Sequence, residues 1–430
     1  FAKGGNFQFL QLVFGYMLGR VVISLVFIPL YFKGELQTVY QLLGDRFGGK
    51  VKMLASGLFV IMRNIADGIR LLLTAIVLAA VYTAFNPQTS PEVVIIGSIL
   101  ILGIVMIVFT FYGGMEAVIW IEVVQLVIYI GGAIAAAVVL VQNIDGGISG
   151  AIAAGQQFDK FSLFDFTLDF TKTYTFWGGV IGGCFLTMST HGTDQFLVQR
   201  YLCTDKPRAA ITALMTSGAV VLGQFIGFLF IGVLLFAFYA PYNMEGYATA
   251  TGAFPFTGGD KVFPDFITQK MPTGLSGLVV AAIFAAALSS SLNSIAATAV
   301  NDIYKPYAKD KSDRHLMKIA GLLTVIVGIV QIAIAISLRN ANSSALGMAL
   351  SVASLINGPI LGVFLVGAFL KGAREVHALM GMLASIAVML YVLLGTKIAW
   401  PWYALIGSTV TVSVAFIATL IIRKKDEIPH

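Results

Sequence analysis

Apolar stretches long enough to cross a membrane recur along almost the whole chain of 430 residues. A helix needs about 20 apolar residues to span the hydrocarbon core of a bilayer. Charged residues make up only 11% of the chain, whereas a soluble globular domain has about 25%. The sequence therefore predicts an all-α membrane protein with about eleven transmembrane helices, over residues 6–31, 51–85, 93–112, 115–141, 176–203, 208–240, 276–304, 316–338, 344–371, 376–396 and 401–423.

Lys and Arg residues are concentrated in every second loop between these stretches. Of the 27 basic residues, 17 lie in one set of segments: 33–52, 200–208, 305–318, 371–374 and 423–425. The alternate loops hold seven. Because cytoplasmic loops are rich in Lys and Arg, residues 1–5 are predicted to lie outside the cell inner (plasma) membrane and the C-terminus in the cytoplasm. This topology accounts for the net charge of +6, and no nucleic-acid site is predicted.

Three ionisable residues fall inside the stretch 51–85. Burial of a charged side chain in a membrane costs free energy, so such residues are candidates for function. Arg63, Asp67 and Arg70 are spaced i,i+4 and i,i+3, so they share one helix face. They are predicted either to form a self-neutralising ladder that faces the bundle or to offer one surplus positive charge to an anionic solute or a gate.

Arg20 and Glu122 are two further ionisable residues within apolar stretches. For Arg20 we expect a structural partner such as Glu122. A lone buried carboxylate needs a cation, a proton or an Arg. Glu122 is therefore a candidate both for that structural role and for cation or proton coupling.

The stretch 176–203 is rich in Gly and polar in its middle, which predicts a weakened or interrupted helix (Gly182, Gly183, Thr187, Ser189, Thr190, His191 and Gly192). Non-helical backbone at membrane depth is tolerated where it lines a cavity or is buried in protein. Interrupted helices mark the binding sites of transporters. In the stretch 276–304, the run Ser289–Ser291 lies near the midplane, where its hydroxyls can bond across helices or supply oxygen ligands to a small cation.

Five motifs resemble the sodium/solute symporter family, whose members include bacterial sialic acid and galactose symporters. They are STHGTDQFLVQRYL (189–202), AAIFAAALSSSLNS…NDIYKPY (281–307), GGMEAVIWIEVVQ (113–125), FIPLYFKGELQTVYQLLGDRFGG (27–49) and NGPILGVFLVGAFLKG (357–372). The similarity runs in family order over most of residues 6–371.

The resemblance implies a LeuT-type inverted five-helix repeat bundle with additional peripheral helices. It implies one transmembrane transporter domain over 1–430, with 1–141 as the remainder of the first repeat, 176–371 as the second repeat and 376–423 as peripheral helices. The chain is expected to lack the first two helices of the family. The stretches 115–141, 176–203 and 276–304 would be the fifth, sixth and eighth helices.

The resemblance also implies site residues. The solute pocket is predicted to be bordered by Phe9, Gln11, Arg63, Thr187, Thr190 and His191. Glu122 replaces the family's aspartate as a sodium carboxylate. Two registers are open for the eighth helix, because counting back from Asp302 selects Ala286 and counting forward from Phe284 selects the serine run. The predicted sodium residues are therefore Glu122, Ala286, Ser289, Ser290 and Ser291.

The predicted function is secondary active transport, by alternating access, of a small polar organic solute such as a sugar, sugar acid or carboxylate. Sodium is the predicted coupling ion, no other cofactor is expected, and the protein is expected to act in the bilayer as a monomer. It is not expected to be an enzyme, because no nucleophile–base set or metal cluster is evident. A proton-coupled carrier that uses Glu122 and a membrane sensor that reuses the bundle are the alternatives.

Overall fold

The computed structural model describes residues 5–34, 36–86, 88–239, 262–288, 291–308, 311–340 and 345–426. All regular secondary structure within these ranges is helical, which confirms the predicted all-α class. The α-helices are α1 (Leu10–Tyr31), α2 (Gln41–Phe47), α3 (Gly49–Phe85), α4 (Pro91–Asn143), α5 (Gly147–Gln157), α6 (Gly183–Thr193), α7 (Gln195–Leu202), α8 (Pro207–Tyr239), α9 (Val262–Gln269), α10 (Thr273–Leu288), α11 (Leu292–Thr298), α12 (Asp313–Leu338), α13 (Ala345–Phe369), α14 (Glu375–Gly395) and α15 (Tyr403–Asp426).

Helix starts follow ordinary capping chemistry. Pro91 and Pro207 open α4 and α8, where the missing N–H of proline leaves no hydrogen bond unmade. Ser312 caps α12 by accepting a hydrogen bond from the His315 N–H. The sequence therefore marks several helix boundaries locally, before any tertiary contact is considered.

Eight helical stretches among the described residues are long and apolar enough to cross a bilayer: Phe7–Tyr31, Gly49–Thr83, Pro91–Gly113, Val118–Asn143, Pro207–Tyr239, Asp313–Leu338, Glu375–Gly395 and Trp400–Ile422. Thr273–Phe284 and Leu355–Phe369 are shorter apolar helices. The predicted stretches 93–112 and 115–141 are joined, because the backbone remains helical through 113–114 and α4 continues for 53 residues. Helical hydrogen bonding can continue through a glycine pair although Gly has a low helix propensity.

The helices α1 and α6 pack backbone against backbone. A Cβ at Gly19 would lie 2.7 Å from the Cys184 carbonyl oxygen and 2.7 Å from the Thr187 Cβ. A Cβ at Gly183 would lie 2.7 Å from the Leu12 carbonyl oxygen. Small residues permit such close approach between membrane helices. This contact fixes the level of each α6 residue along α1.

The largest apolar core joins α1, α3 and α13. Its aromatic centre includes Tyr40, whose ring centroid lies 5.6 Å from that of Phe59 and 6.3 Å from that of Phe364. The Tyr31 hydroxyl leaves this core to donate a hydrogen bond to the Gly192 carbonyl oxygen near the end of α6. The core therefore holds the end of α6 in place from the α1 side.

The helices α13, α14 and α15 pack against one another. A Cβ at Gly358 of α13 would lie 3.0 Å from the Gly407 Cα of α15. The Ser385 hydroxyl of α14 donates to the Gly407 carbonyl oxygen at 2.7 Å. Gly407 of α15 therefore contacts both α13 and α14, and α15 links these two helices.

Candidate functional site

The first interrupted helix separates α6 from α7 at Asp194. This residue has extended backbone (φ −85°, ψ 119°), and its carboxylate accepts the Phe196 N–H at 2.8 Å. An aspartate N-cap satisfies an amide that the new helix would otherwise leave free. The predicted interruption of 176–203 is confirmed, because the backbone breaks at Asp194 and the Gly-rich segment Gly178–Gly182 is π-helical.

The second interruption, in the stretch 276–304, lies at Ser291. Ser291 precedes α11 with φ −84° and ψ 11°, and its hydroxyl does not cap that helix. Its N–H instead donates to the Asp67 carboxylate at 3.2 Å, and its hydroxyl donates to the same carboxylate. Ser291, Ser294 and Thr298 are fully buried. The second half of the stretch 276–304 therefore lies in the interior.

One turn of α3 contacts both interruptions. The Arg63 guanidinium donates to the Asp194 carboxylate at 3.2 Å and lies 3.7 Å from the Asp67 carboxylate. Arg70 pairs with Asp67 at 3.1 Å. The predicted ladder on α3 is confirmed. Asp194 supplies a second negative charge, so the ladder has no surplus positive charge to offer a solute.

The charge network continues from α7 to α4. The guanidinium carbons of Arg63 and Arg200 each lie 4.1 Å from the centroid of the Phe196 ring. Arg200 Nη2 donates to Glu122 Oε1 at 2.6 Å. Three arginines thus face three carboxylates, and the formal charges cancel: Arg63, Arg70 and Arg200 against Asp67, Asp194 and Glu122.

The predicted pairing of Arg20 with Glu122 is wrong, because Glu122 is paired with Arg200. Arg20 Nη2 lies 3.2 Å from His191 Nε2, and its Nε has no hydrogen-bond partner. Arg20 is only 3% exposed. No Asp or Glu within the described residues forms an ion pair with it.

Three of the predicted solute residues lie in the same layer as Arg20. The Thr190 hydroxyl donates to the Leu186 carbonyl oxygen at 3.0 Å and lies 3.1 Å from His191 Nδ1. Thr187 is buried against Gly19, the neighbour of Arg20. The structure therefore brings Thr187, Thr190 and His191 together; we call these residues and Arg20 the inner layer.

Phe9 and Gln11 lie in a separate outer layer. The Phe9 ring packs on Tyr174 and Phe225, with centroids 5.6 Å and 5.0 Å away. The buried Gln11 amide donates to the Gln8 carbonyl oxygen at 3.0 Å and accepts the Asp165 N–H at 3.0 Å.

The two layers are separated along α1. Gln11 and Gly19 are eight residues apart, which is about 12 Å along a helix. The residues predicted to form one pocket thus lie in two layers, an outer and an inner one. Arg63 belongs to neither layer and forms an ion pair with Asp194. The separation arises because α1 and α6 run side by side in fixed register.

The predicted sodium residues have different partners in the structure. Ser291 donates to Asp67, whereas Glu122 accepts from Arg200. Ser289, Ser290 and the side chain of Ala286 lie outside the described residues. Their role as sodium ligands stays a prediction.

Asp194, Phe196 and Arg200 are site residues that the sequence analysis missed. Asp194 could have been found from the sequence, because an aspartate at the start of a new helix is an N-cap signal. The contact of Phe196 with Arg200 follows from their i,i+4 spacing on α7, whereas its contact with Arg63 had no local signal. It depends on how α3 and α7 pack.

Two cavities lie between α4 and α8, and the second also borders α9 and α10. One of 420 Å³ includes Ile134, Gln224 and Phe230 among its lining residues, and one of 330 Å³ includes Tyr129 and Phe263. Both are mainly apolar, and none of the predicted solute residues lines them. They therefore do not mark the inner layer.

A bundle of apolar helices with two interruptions held in its interior by buried charges defines a helical membrane carrier. A profile of the sodium:solute symporter family matches residues 2–385. The chain belongs to this family.

Curated relatives and solved structures agree with this assignment. The sodium/sialic acid symporter NanT of Aliivibrio fischeri is 32% identical over 94% of this chain and 78% of that protein. The sodium/sialic acid symporter SiaT of Proteus mirabilis is 31% identical over 92% of this chain and 78% of that protein. The human sodium-coupled monocarboxylate transporter 1 is 29% identical over 90% of this chain and 62% of that protein.

Among solved structures, a substrate-bound, outward-open Na⁺-coupled sialic acid symporter has a TM-score of 0.81 and 29% identity, and the match covers 98% of this chain and 84% of that one. The inward-facing Mhp1 structure has a TM-score of 0.57 with 12% identity over 98% of this chain and 86% of that one, and it supports the fold alone. The fold is of the LeuT type. The chain is an integral membrane protein and a sodium-coupled symporter of a small organic solute, not an enzyme.

Proposed function

We propose that this symporter carries an organic anion, either a sugar acid or another carboxylate, together with sodium across the plasma membrane. The named relatives are symporters of sialic acid and transporters of monocarboxylates, and all of these solutes carry a carboxylate. Movement of the solute would follow alternating access, with the two interrupted helices changing position around it.

The observation that carries this proposal is the buried guanidinium of Arg20. Arginine keeps its charge in proteins, and a buried charge without a partner of opposite sign is costly. Arg20 contacts the ring of His191, and no carboxylate of the described residues pairs with it. A solute carboxylate would supply the missing negative charge and could accept two parallel hydrogen bonds.

The other groups of the inner layer suit the rest of such a solute. The Thr190 hydroxyl and the imidazole of His191 are adjacent to Arg20 and can exchange hydrogen bonds with solute hydroxyls. Phe9 would form an aromatic wall in the outer layer, and Thr187 would border the inner layer. Gln11 and Arg63 would support the pocket from behind, because their polar groups are engaged within the protein.

For the coupling ion we retain Glu122, with Ala286 and Ser289–Ser291 as the other candidate positions. Sodium is a hard cation, and carboxylate, hydroxyl and carbonyl oxygens are the ligands that hard cations prefer. Glu122 would supply the full negative charge that favours ion entry into a low-dielectric bundle.

The proposed topology places residues 1–5 outside and the C-terminus in the cytoplasm, with the protein working as a monomer in the bilayer. Residues 1–141 and 176–371 would be the two repeats, and 376–423 the peripheral helices. The concentration of Lys and Arg in alternate loops supports this orientation.

The proposal is tested by competition for sodium-dependent uptake of labelled N-acetylneuraminate into proteoliposomes. Pyruvate, as a second carboxylate, should compete, and neutral galactose should not. Arg20→Gln should weaken the apparent affinity by about 10- to 100-fold, as expected for loss of a charge-assisted hydrogen bond. Arg20→Lys should lose less.

The matched control is Arg339→Gln, because Arg339 pairs with Glu92 at an exposed site. It should transport like the wild type. If galactose competes as well as pyruvate and Arg20→Gln binds N-acetylneuraminate normally, the solute is not recognised through Arg20.

A further inference from the structure

The ion pair between Glu122 and Arg200 is partly exposed. Arg200 Nη2 lies 2.6 Å from Glu122 Oε1, and the two side chains are 20% and 29% exposed, respectively. The pair of Arg63 and Asp194, by comparison, is 11% and 2% exposed. The Glu122–Arg200 contact is therefore more accessible to an entering ion than the neighbouring buried pair.

We propose that Arg200 is a tethered replacement cation for sodium. It pairs with Glu122 when sodium is absent, and sodium displaces it when the ion binds. This inference rests on the proposed role of Glu122 as a sodium carboxylate.

Arg200 has a second set of contacts that would hold it after displacement. Its Nη1 donates to the Phe196 carbonyl oxygen at 2.8 Å, and its guanidinium lies against the Phe196 ring. Both contacts are within α7. The side chain can therefore leave Glu122 without becoming an unpartnered charge in the bundle.

The exchange gives the carrier a way to return without sodium. A charged carboxylate near an apolar span is costly, and Arg200 supplies a balancing positive charge to Glu122 in the empty carrier. Because Arg200 lies on α7, which begins at the Asp194 break, its release also changes the contacts of the interrupted helix. Sodium occupancy is in this way communicated to the segment that contains Thr190 and His191.

Competition between Arg200 and sodium predicts the direction in which sodium affinity changes when Arg200 is removed. When a binding-competent state is only partly populated, the apparent affinity is reduced by that fraction. Removal of the tethered cation should therefore strengthen sodium binding, whereas loss of a structural contact would weaken it. For a pair that is closed about 90% of the time, the expected gain is about tenfold.

The experiment measures sodium binding to the purified full chain in detergent by titration calorimetry. Arg200→Gln should lower the half-saturating sodium concentration by about tenfold. Arg200→Lys keeps a cation that pairs less well with a carboxylate, so it should lower that concentration by about twofold to threefold. Arg339→Gln removes an arginine from another Arg–Glu pair and should leave it unchanged.

Transport supplies an independent readout. With sodium and solute on both sides of the proteoliposome membrane, Arg200→Gln should lose less of its solute exchange than of its net uptake, because exchange does not need the empty carrier to return. Its net uptake should fall, because the return step lacks the replacement cation.

The proposal is overturned if Arg200→Gln binds sodium as weakly as the wild type, or more weakly, while still exchanging solute. If that variant fails to fold, Arg200→Lys decides, and a half-saturating concentration equal to or above the wild-type value overturns the proposal. Glu122→Gln tests the underlying assignment separately. If it binds sodium normally, Glu122 is not the sodium carboxylate, and the replacement role of Arg200 is excluded with it.

Discussion

The two interruptions are contacted by side chains of opposite charge on the same turn of α3. At the first interruption, the interrupted helix itself carries a carboxylate, Asp194, which forms an ion pair with Arg63 of α3. At the second, the N–H and the hydroxyl of Ser291 both donate hydrogen bonds to the carboxylate of Asp67 on α3. Each break therefore receives from α3 the charge that its own exposed groups lack.

The difference shows how unpaired backbone is accommodated at membrane depth. Polar backbone groups that leave a helix must find partners inside the protein, because the hydrocarbon offers none. The first break is partly self-sufficient, since Asp194 also caps α7. The second break depends on α3 for both of the donor groups of Ser291. Substitutions on the two sides should therefore have unequal effects.

The largest effect is expected for Asp67→Asn. This change leaves Arg63 and Arg70 beside a neutral amide and weakens the support of Ser291. Removal of one partner from a buried pair costs about 3–5 kcal/mol, so the free energy of unfolding should fall by that amount in denaturant titrations in detergent. Glu92→Gln is the matched control, because it removes an exposed carboxylate from Arg339; it should change stability by less than about 0.5 kcal/mol. Equal losses in the two variants would contradict the account.

An intermediate effect is expected at Asp194. Asp194→Asn can still cap α7 but loses the charge that faces Arg63, so the free energy of unfolding should fall by about 1.5–3 kcal/mol. Asp194→Ala also loses the cap and should cost about 1 kcal/mol more. The same titrations measure both. If the Asn and Ala variants are equally stable, the cap contributes nothing and the first break is not self-sufficient.

The smallest effect is expected for Ser291→Ala. Asp67 loses the hydroxyl donor but keeps the Ser291 N–H and its two arginines, so stability should fall by about 1 kcal/mol. Ser337→Ala serves as control, since that hydroxyl bonds only within its own helix at an exposed position, and its effect should stay below about 0.5 kcal/mol. A loss at Ser291 as large as that at Asp67 would mean that the hydroxyl, and not the carboxylate, organises the second break.

Much of this arrangement could be predicted from local sequence. Apolar length indicated the helices, and the i,i+3 and i,i+4 spacing on α3 indicated the ladder. The polar run from Thr187 to His191 identified the inner layer. Each of these signals depends on residues within a few turns of one another, where helix geometry alone decides which side chains meet.

The partners of Arg20 and Glu122 could not be obtained in this way. Arg20 meets His191 across 171 residues, and Glu122 meets Arg200 across 78. Such pairings depend on which helix faces pack together and at what level, as the glycine contacts of α1 and α6 determine here. The division into an outer and an inner layer escaped prediction for the same reason.

The most direct test of the whole account is solute uptake under separately imposed ion gradients. Proteoliposomes that contain the protein are loaded with potassium and diluted into sodium or into potassium, with or without an inward proton gradient, and labelled N-acetylneuraminate is followed. The account predicts concentrative uptake only with inward sodium, and no concentrative uptake when Glu122→Gln replaces the wild type. Uptake driven by the proton gradient alone, with no effect of sodium, would contradict it and would make Glu122 a proton carrier.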